Sequence, residues 1–384
     1  MKARTRWTAA VFLLAGSHGV VSQTRGPLLA SFEGTFGVSE ALLGFVVPAA
    51  SVGLLLAVLV VGTNAGRVGV RRGLLVGVGV AIVSLALLTI VRSYWALVAA
   101  FALQGVGFGI VRALDRPLLA HLYADARGRI FNRYALVWAV GATAGPLVVN
   151  AVLSVADWRL TFLLLLAPLL PVVVLVARAD PPAEMRRERS VSLADVRRLL
   201  RRPAVRGMAA GLVLSGSIEG AMFAWFAYYA GGFLPRAQAN LLLSGFLVTY
   251  VPARLLYSYL CDRLPPLDIV LALAVAGVPV ALIAFTARSG AVLAAATLGF
   301  GVVVAGFFPT LSAFGVDSAA EYSGPINAVA TAANFVGVSA APVVVGVVAE
   351  RFGIGTGMRL LVPAIAGLAV VTLLTRRRVV RPAE

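Results

Sequence analysis

The residues of this chain that could do chemistry are few, and apolar sequence encloses each of them. Arg25, Arg112, Glu219 and Arg254 lie within long hydrophobic runs, and Asp115 follows Arg112 by three positions. A guanidinium stays charged at physiological pH and grips a carboxylate or phosphate through two parallel hydrogen bonds. A carboxylate held away from water, as at Glu219, suits proton exchange unless a paired arginine keeps it ionised. Placing such groups at membrane depth costs at least ~2.5–3.5 kcal/mol each on insertion scales, so they face a cavity or a partner.

Their neighbours fall on matching helical faces. His18, Ser22 and Arg25 stand at i, i+4 and i+7, with Gln23 beside them. Leu28, Leu29 and Phe32 separate Arg25 from the nearer end of its run, which favours a cavity-facing arginine over one that snorkels to water. Gln104, Phe108, Arg112 and Asp115 form a second stripe, in which Arg112 and Asp115 could pair at i, i+3. Ser215 lies one turn before Glu219, and Trp225, Tyr228 and Tyr229 follow it. Tyr250, Arg254 and Tyr257 occupy the next run, and Asn327, Thr331 and Asn334 share a face further on. The structural alternative for such amides and hydroxyls is hydrogen bonding between helices. Three arginines against Glu219 and Asp115 leave an excess of positive charge, which leans towards an anionic or zwitterionic solute. Glu219 and Asp115 are the candidate proton sites. The candidate substrate contacts are His18, Gln23, Arg25, Gln104, Arg112, Trp225, Tyr228, Arg254, Asn327 and Asn334.

Other chemistries lack their residues. One cysteine, Cys261, excludes an internal disulfide and a cysteine-cluster metal site, and His18 and His121 are too few for a His-ligated zinc centre. No H-E-x-x-H or G-x-S-x-G is present. With Lys2 as the sole lysine there is no Walker A sequence and so no encoded ATP drive. No catalytic residue, metal or cofactor is expected.

The elements that must position these groups are set by composition. The 384 residues are 60% hydrophobic and 13% charged, whereas soluble domains are about half apolar and a quarter charged. This excludes a soluble enzyme, a disordered chain and a nucleic-acid-binding domain, despite a net charge of +17. A hydrocarbon core about 30 Å thick needs roughly 20 apolar residues per helix. Twelve runs qualify: 7–31, 40–62, 73–91, 95–114, 134–156, 159–177, 207–231, 238–260, 268–287, 290–312, 325–349 and 357–375. The basic residues orient them. With the N-terminus inside, 24 Lys and Arg fall on the cytoplasmic side and 6 outside, a decisive bias that places both termini in the cytoplasm.

One long connection, 178–206, divides the chain into a six-helix bundle at 1–177 and another at 207–384. It opens with Asp180, Pro181 and Pro182, which break the helix. A basic amphipathic helix is expected next. Ser192 and Asp195 start it, Leu193, Val196 and Leu200 share one face, and Arg197, Arg198, Arg201 and Arg202 lie around them. A shift of 196 residues superposes Arg67 on Arg263, Gly105 on Gly301, Gly128 on Gly324, Gly141 on Gly337 and Pro146 on Pro342. One shift that fits so many landmarks implies a duplicated unit. Six helices per copy make the repeats parallel, with a site between the halves and rocking of one half against the other. Glu219 then corresponds to Gln23.

At these landmarks the chain resembles the major facilitator superfamily over essentially its full length. The family's second-to-third loop reads roughly G-x-x-x-D-R-x-G-R-R, and here Gly62, Arg67, Gly69, Arg71 and Arg72 match while Gly66 replaces the acid. The second copy keeps Asp262 and Arg263, with Ser258 in place of the glycine. In the family that acid faces a helix N-terminus and latches the cytoplasmic side, so the resemblance implies a weakened first-half latch. Gln104 and Gly105 match the family's R-x-x-Q-G, with Phe101 in the arginine position. Gly141, Gly145 and Pro146 resemble the antiporter G-x-x-x-G-P motif, and Asp157-Trp158-Arg159 resembles G-W-R. Arg254, four residues before Ser258, is placed like the arginine of monocarboxylate transporters, although Thr249 and Tyr250 occupy the region where those proteins carry an acid.

The expectation is an all-α membrane protein of twelve helices around a central cavity. It is multi-pass in the cytoplasmic (inner) membrane, a monomer as in the family, with the lipid bilayer, protons and a small-molecule substrate as partners and no nucleic acid. The function expected is secondary transport by alternating access, coupled to protons. Export of amphipathic drugs is the alternative, and a non-transporting receptor or scaffold is a distant one.

Overall fold

The computed structural model describes residues 3–63, 69–179, 197–287, 289–318 and 322–380. Arg67, Gly66 and most of the connection, including Asp180 to Val196, lie outside the described residues; residues 197–199 are helical. The chain is all-helical, and eleven helices among the described residues are long and apolar enough to cross a membrane. They begin with Glu40–Val61 and end with Ile354–Val379. The remaining span is the first. It consists of Ala3–Gln23 and Arg25–Phe36, and its own chemistry (His18, Gln23, Arg25) makes it the most polar of the set. The protein is a multi-pass membrane protein with a twelve-helix architecture.

Proline decides where spans divide. Proline removes a backbone donor and crowds the carbonyl four residues back. The first span breaks at Thr24, three residues before Pro27, the tenth at Gly306 before Pro309, and the twelfth at Leu360 before Pro363. The second divides at Gly44 and Phe45 before Pro48, and the sixth at Ala167 and Pro168. Pro117, Pro146, Pro252, Pro279 and Pro342 instead stay inside continuous helices. Neighbouring helices in a bundle can satisfy the groups such a proline frees. Separately, the carbonyl of Pro342 itself accepts a 2.9 Å bond from Trp225 Nε1 on span seven.

Two compact units result, one from Met1–Ser39 with Phe45–Ser190 and the other from Glu40–Gly44 with Val191–Glu384. In the first, span one packs on five, two on four, and three on four and six. In the second, seven packs on eleven, eight on ten, and nine on ten and twelve. Glycines set how closely these pairs approach. A Cβ at Gly105 would strike the Ala50 carbonyl, and one at Gly301 the Phe246 carbonyl. Residues 50 and 246 are themselves 196 apart, so the repeat extends from the glycines to the backbone they touch. Gly141 likewise meets the Gly16 carbonyl, and Gly337 the Val213 carbonyl.

Each unit has its own tie between outer helices. In the first, Arg6 Nη1 donates to the Arg178 carbonyl at 2.9 Å, and Arg71 Nη2 donates to that of Ala177. Both cations therefore sit at the negative end of the helix Leu169–Ala177. In the second, Arg376 Nε pairs with Asp268 Oδ1 at 2.6 Å, joining spans twelve and nine.

Candidate functional site

In the first unit, the break at Thr24 makes Arg25 the first residue of a new helical segment. Arg25 is 7% exposed. Its Nη2 donates to Gln104 Oε1 at 2.5 Å, and its guanidinium lies 5.6 Å from the Phe101 ring centroid. Spans one and four are thus joined by the arginine that the sequence puts on one and the amide on the other. Arg25 Nε, Gln104 Nε2 and Gln23 Oε1 find no hydrogen-bond partner among the described residues, although all three side chains are buried. Unused donors and an acceptor in one buried place can hold a polar solute. Further along span one, His18 stacks on Phe108 with centroids 4.8 Å apart, within electrostatic range of Arg112 and Arg25.

Arg112 and Asp115 do not pair directly. Tyr134, from span five, stands between them: Arg112 Nη1 donates to its hydroxyl at 3.4 Å, and the hydroxyl donates to Asp115 Oδ2 at 2.6 Å. The i, i+3 spacing put both side chains on one helical face, but a hydroxyl from another helix offered the acid a shorter bond. Asp115 is 1% exposed, and its Oδ1 has no hydrogen-bond partner among the described residues.

In the second unit, Glu219 is buried at 7% exposure. Tyr250 donates to Glu219 Oε1 at 3.2 Å, and Asn334 also reaches the carboxylate. The Arg254 guanidinium lies 5.0 Å from the Tyr250 ring centroid and makes no ion pair with Glu219 among the described residues. Ser215 Oγ, one turn from Glu219 and fully buried, has no hydrogen-bond partner among the described residues. Trp225 is fully buried, and its ring meets that of Tyr228 edge-on at 5.5 Å. Trp225 therefore serves packing as well as any path. Asn327 and Thr331 are exposed, and of the span-eleven stripe only Asn334 reaches Glu219.

The candidate gating residues divide between packing and surface. Gly62 lies at the end of span two, and Gly69 precedes the first turn of span three. A Cβ at Gly145 would press on Gln23 and the Val20 carbonyl, and Pro146 is buried in the continuous fifth span. Asp262 caps the eighth span at its exposed C-terminal end, its backbone N–H donating to the Leu260 carbonyl, and its carboxylate makes no ion pair among the described residues. Arg263 is exposed and stacks 3.9 Å from the Tyr259 ring centroid.

Tyr134 was absent from the candidate residues. Trp138, one turn further along span five, was absent too, and its buried Nε1 has no partner among the described residues. Their only sequence signal was polar aromatic character at the start of an apolar run.

Comparison with known proteins follows this geometry. The solved structure of a bacterial homologue of the human lysosomal transporter Spinster has TM-score 0.83 at 13% identity, covering 98% of this chain and 97% of that one. The nucleoside transporter NupG matches at TM-score 0.79 and 15% identity over 100% of both chains, and a D-xylose–proton symporter at 0.76 and 17% over 97% of each. At these identities the likeness is one of fold. The multidrug efflux pump LfrA of Mycolicibacterium smegmatis is 38% identical over 136 residues, which is 33% of this chain and only 26% of that pump's length. A profile of the Major Facilitator Superfamily matches residues 11–235, more than half the chain. With duplicated six-helix units and a twelve-helix fold behind that match, the chain belongs to the Major Facilitator Superfamily.

Proposed function

We propose that this transporter moves a small organic anion or zwitterion across the inner membrane by alternating access, driven by protons carried on Glu219. The observation that carries the reading is Glu219 itself, a carboxylate buried in the seventh span, bonded by the neutral hydroxyl of Tyr250 and free of any ion pair among the described residues. Arg254 lies within electrostatic range, but no bonded ion pair has to break when the carboxylate takes up a proton. Arg25, anchored by Gln104, takes the anionic end of the solute, with Gln23 and His18 beside it. Arg112 in the first unit and Arg254 in the second are further cationic contacts, Tyr228, Asn327 and Asn334 of the second add polar ones, and Asp115 is the secondary proton site. Gly62, Arg67, Gly69, Arg71, Asp262 and Arg263 act at the cytoplasmic loops during rocking, and Gly141, Gly145 and Pro146 within span five. Both termini lie in the cytoplasm, as the distribution of basic residues supports. The protein acts as a monomer.

Proteoliposomes test this reading. Glu219→Gln is expected to abolish pH-gradient-driven uptake while leaving solute exchange intact. Unchanged pH dependence in that variant removes the coupling role.

The partial match to LfrA favours a second reading, export of amphipathic drugs, in which Glu219 would receive a cation. Competition by organic acids against lipophilic cations, measured on the purified protein in liposomes, separates the two.

A further inference from the structure

A second basic site lies apart from both clusters, in the first unit. Arg4, Tyr123, Ala126, Arg129, Ile130 and Arg133 line a pocket of about 140 Å³. It sits where span one begins, span four ends and span five begins. We propose that this pocket seats the phosphate group of an anionic lipid headgroup.

Four observations support it. The lining contains three guanidinium groups and no carboxylate. None of the three has a side-chain acceptor among the described residues, and Asp125, the nearest acid in sequence, makes no ion pair with them. The lining is also held in place. Thr8 Oγ1 and the Tyr123 hydroxyl share a 2.9 Å hydrogen bond, and Arg4 lies 3.9 Å over the Tyr123 ring, which leaves the guanidinium edge free for an acceptor. The size admits the group: the pocket is several times what a single water needs, so a phosphate can enter it.

A further observation points to a lipid rather than a free ion. Arg129 and Arg133 are exposed on span five, and the same helical face continues through Leu136, Val140 and Leu147, which are 49%, 61% and 42% exposed. Charged groups at a helix end followed by an open apolar stripe match a headgroup with its acyl chains running beneath it. A free phosphate would use the arginines and leave the stripe without a purpose.

The test uses the full-length protein, delipidated in neutral detergent, with thermal shift and native mass spectrometry as readouts. Phosphatidylglycerol, phosphatidylcholine and inorganic phosphate are compared at fixed ionic strength. Phosphatidylglycerol is expected to bind and stabilise where the other two do not. Arg129→Gln with Arg133→Gln is expected to weaken that binding by roughly tenfold or more, since each basic residue near an anionic lipid contributes about a fivefold factor. Arg351→Gln, at the far end of span eleven, is expected to leave it unchanged. Arg4→Gln removes only the stacked guanidinium, and it is read the same way if the double variant does not fold. Equal binding of the two lipids, or unaltered phosphatidylglycerol binding in the variants, overturns the proposal. Inorganic phosphate protecting as well as lipid, with the same arginine dependence, overturns the lipid assignment.

Discussion

In the first unit an arginine reaches a carboxylate through a tyrosine hydroxyl, whereas in the second the arginine lies on the tyrosine's ring. Arg112, Tyr134 and Asp115 form a continuous donor chain. Arg254 meets Tyr250 only through its π-face, and the Tyr250 hydroxyl goes to Glu219. The first arrangement commits the acid to a network that already contains a cation. The second bonds Glu219 to a neutral hydroxyl and an amide, with Arg254 within electrostatic range but not hydrogen-bonded into the chain. The first unit also holds Arg25 on Gln104 beside unused polar atoms, and so carries an excess of cationic donors. Under the proposed function the contrast corresponds to two tasks, gripping a negative group in one unit and handling a proton in the other.

The largest effect should distinguish the two carboxylates. Glu219→Gln is expected to eliminate gradient-driven uptake in proteoliposomes. Asp115→Asn, which disturbs a hydrogen-bonded network, is expected to leave the rate within roughly tenfold of the parent. Equal losses would erase the division of labour. Arg25→Lys comes next. It keeps the charge but loses the planar fork, and it should raise KM for an anionic solute by about 10- to 100-fold with a smaller change in kcat. A KM unchanged in that variant removes Arg25 from the binding surface.

Smaller effects concern packing. Gly105→Ala drives a Cβ into the Ala50 backbone and should destabilise by about 1–3 kcal/mol, read as a fall in Tm. Gly301→Ala meets the Thr249 hydroxyl first, a side chain that can turn aside, and should cost less. Tyr134→Phe and Tyr250→Phe each remove a hydroxyl bond worth about 1 kcal/mol. Tyr134→Phe should also bring Arg112 and Asp115 into direct contact, observable in a crystal structure. Arg376→Gln breaks a half-exposed ion pair and should change stability by less than about 1 kcal/mol.

Much of this molecule was readable from one-dimensional pattern. Spans follow from apolar length, the duplication from glycines at a constant shift, and the burial of Arg25 and Glu219 from their place among apolar neighbours. Partnerships across helices were not readable. Gln104 lies 79 residues from Arg25, and Tyr134 lies 19 from Asp115, so no periodicity on one helix could pair them. The Arg112–Asp115 expectation failed for that reason: spacing says which groups share a face, and a third helix decides whether they touch. Prolines were visible too, but their effect was not: the span breaks before Pro27 and runs on through Pro342.

Trp158 has a mechanical consequence. Its Nε1 donates to Thr35 Oγ1 at 3.0 Å, its ring packs edge-on to Phe32 and Phe162, and the adjoining Arg159 reaches the Val91 carbonyl at 3.0 Å. The short segment Arg25–Phe36 is therefore bolted to spans three and six at one end and severed from the rest of its own span at the other. The first span is thus pinned to span six at both tips, through Thr35 and Trp158 at one and through Arg6 and the Arg178 carbonyl at the other, and Arg25 sits at the bend of a strut held at its two ends.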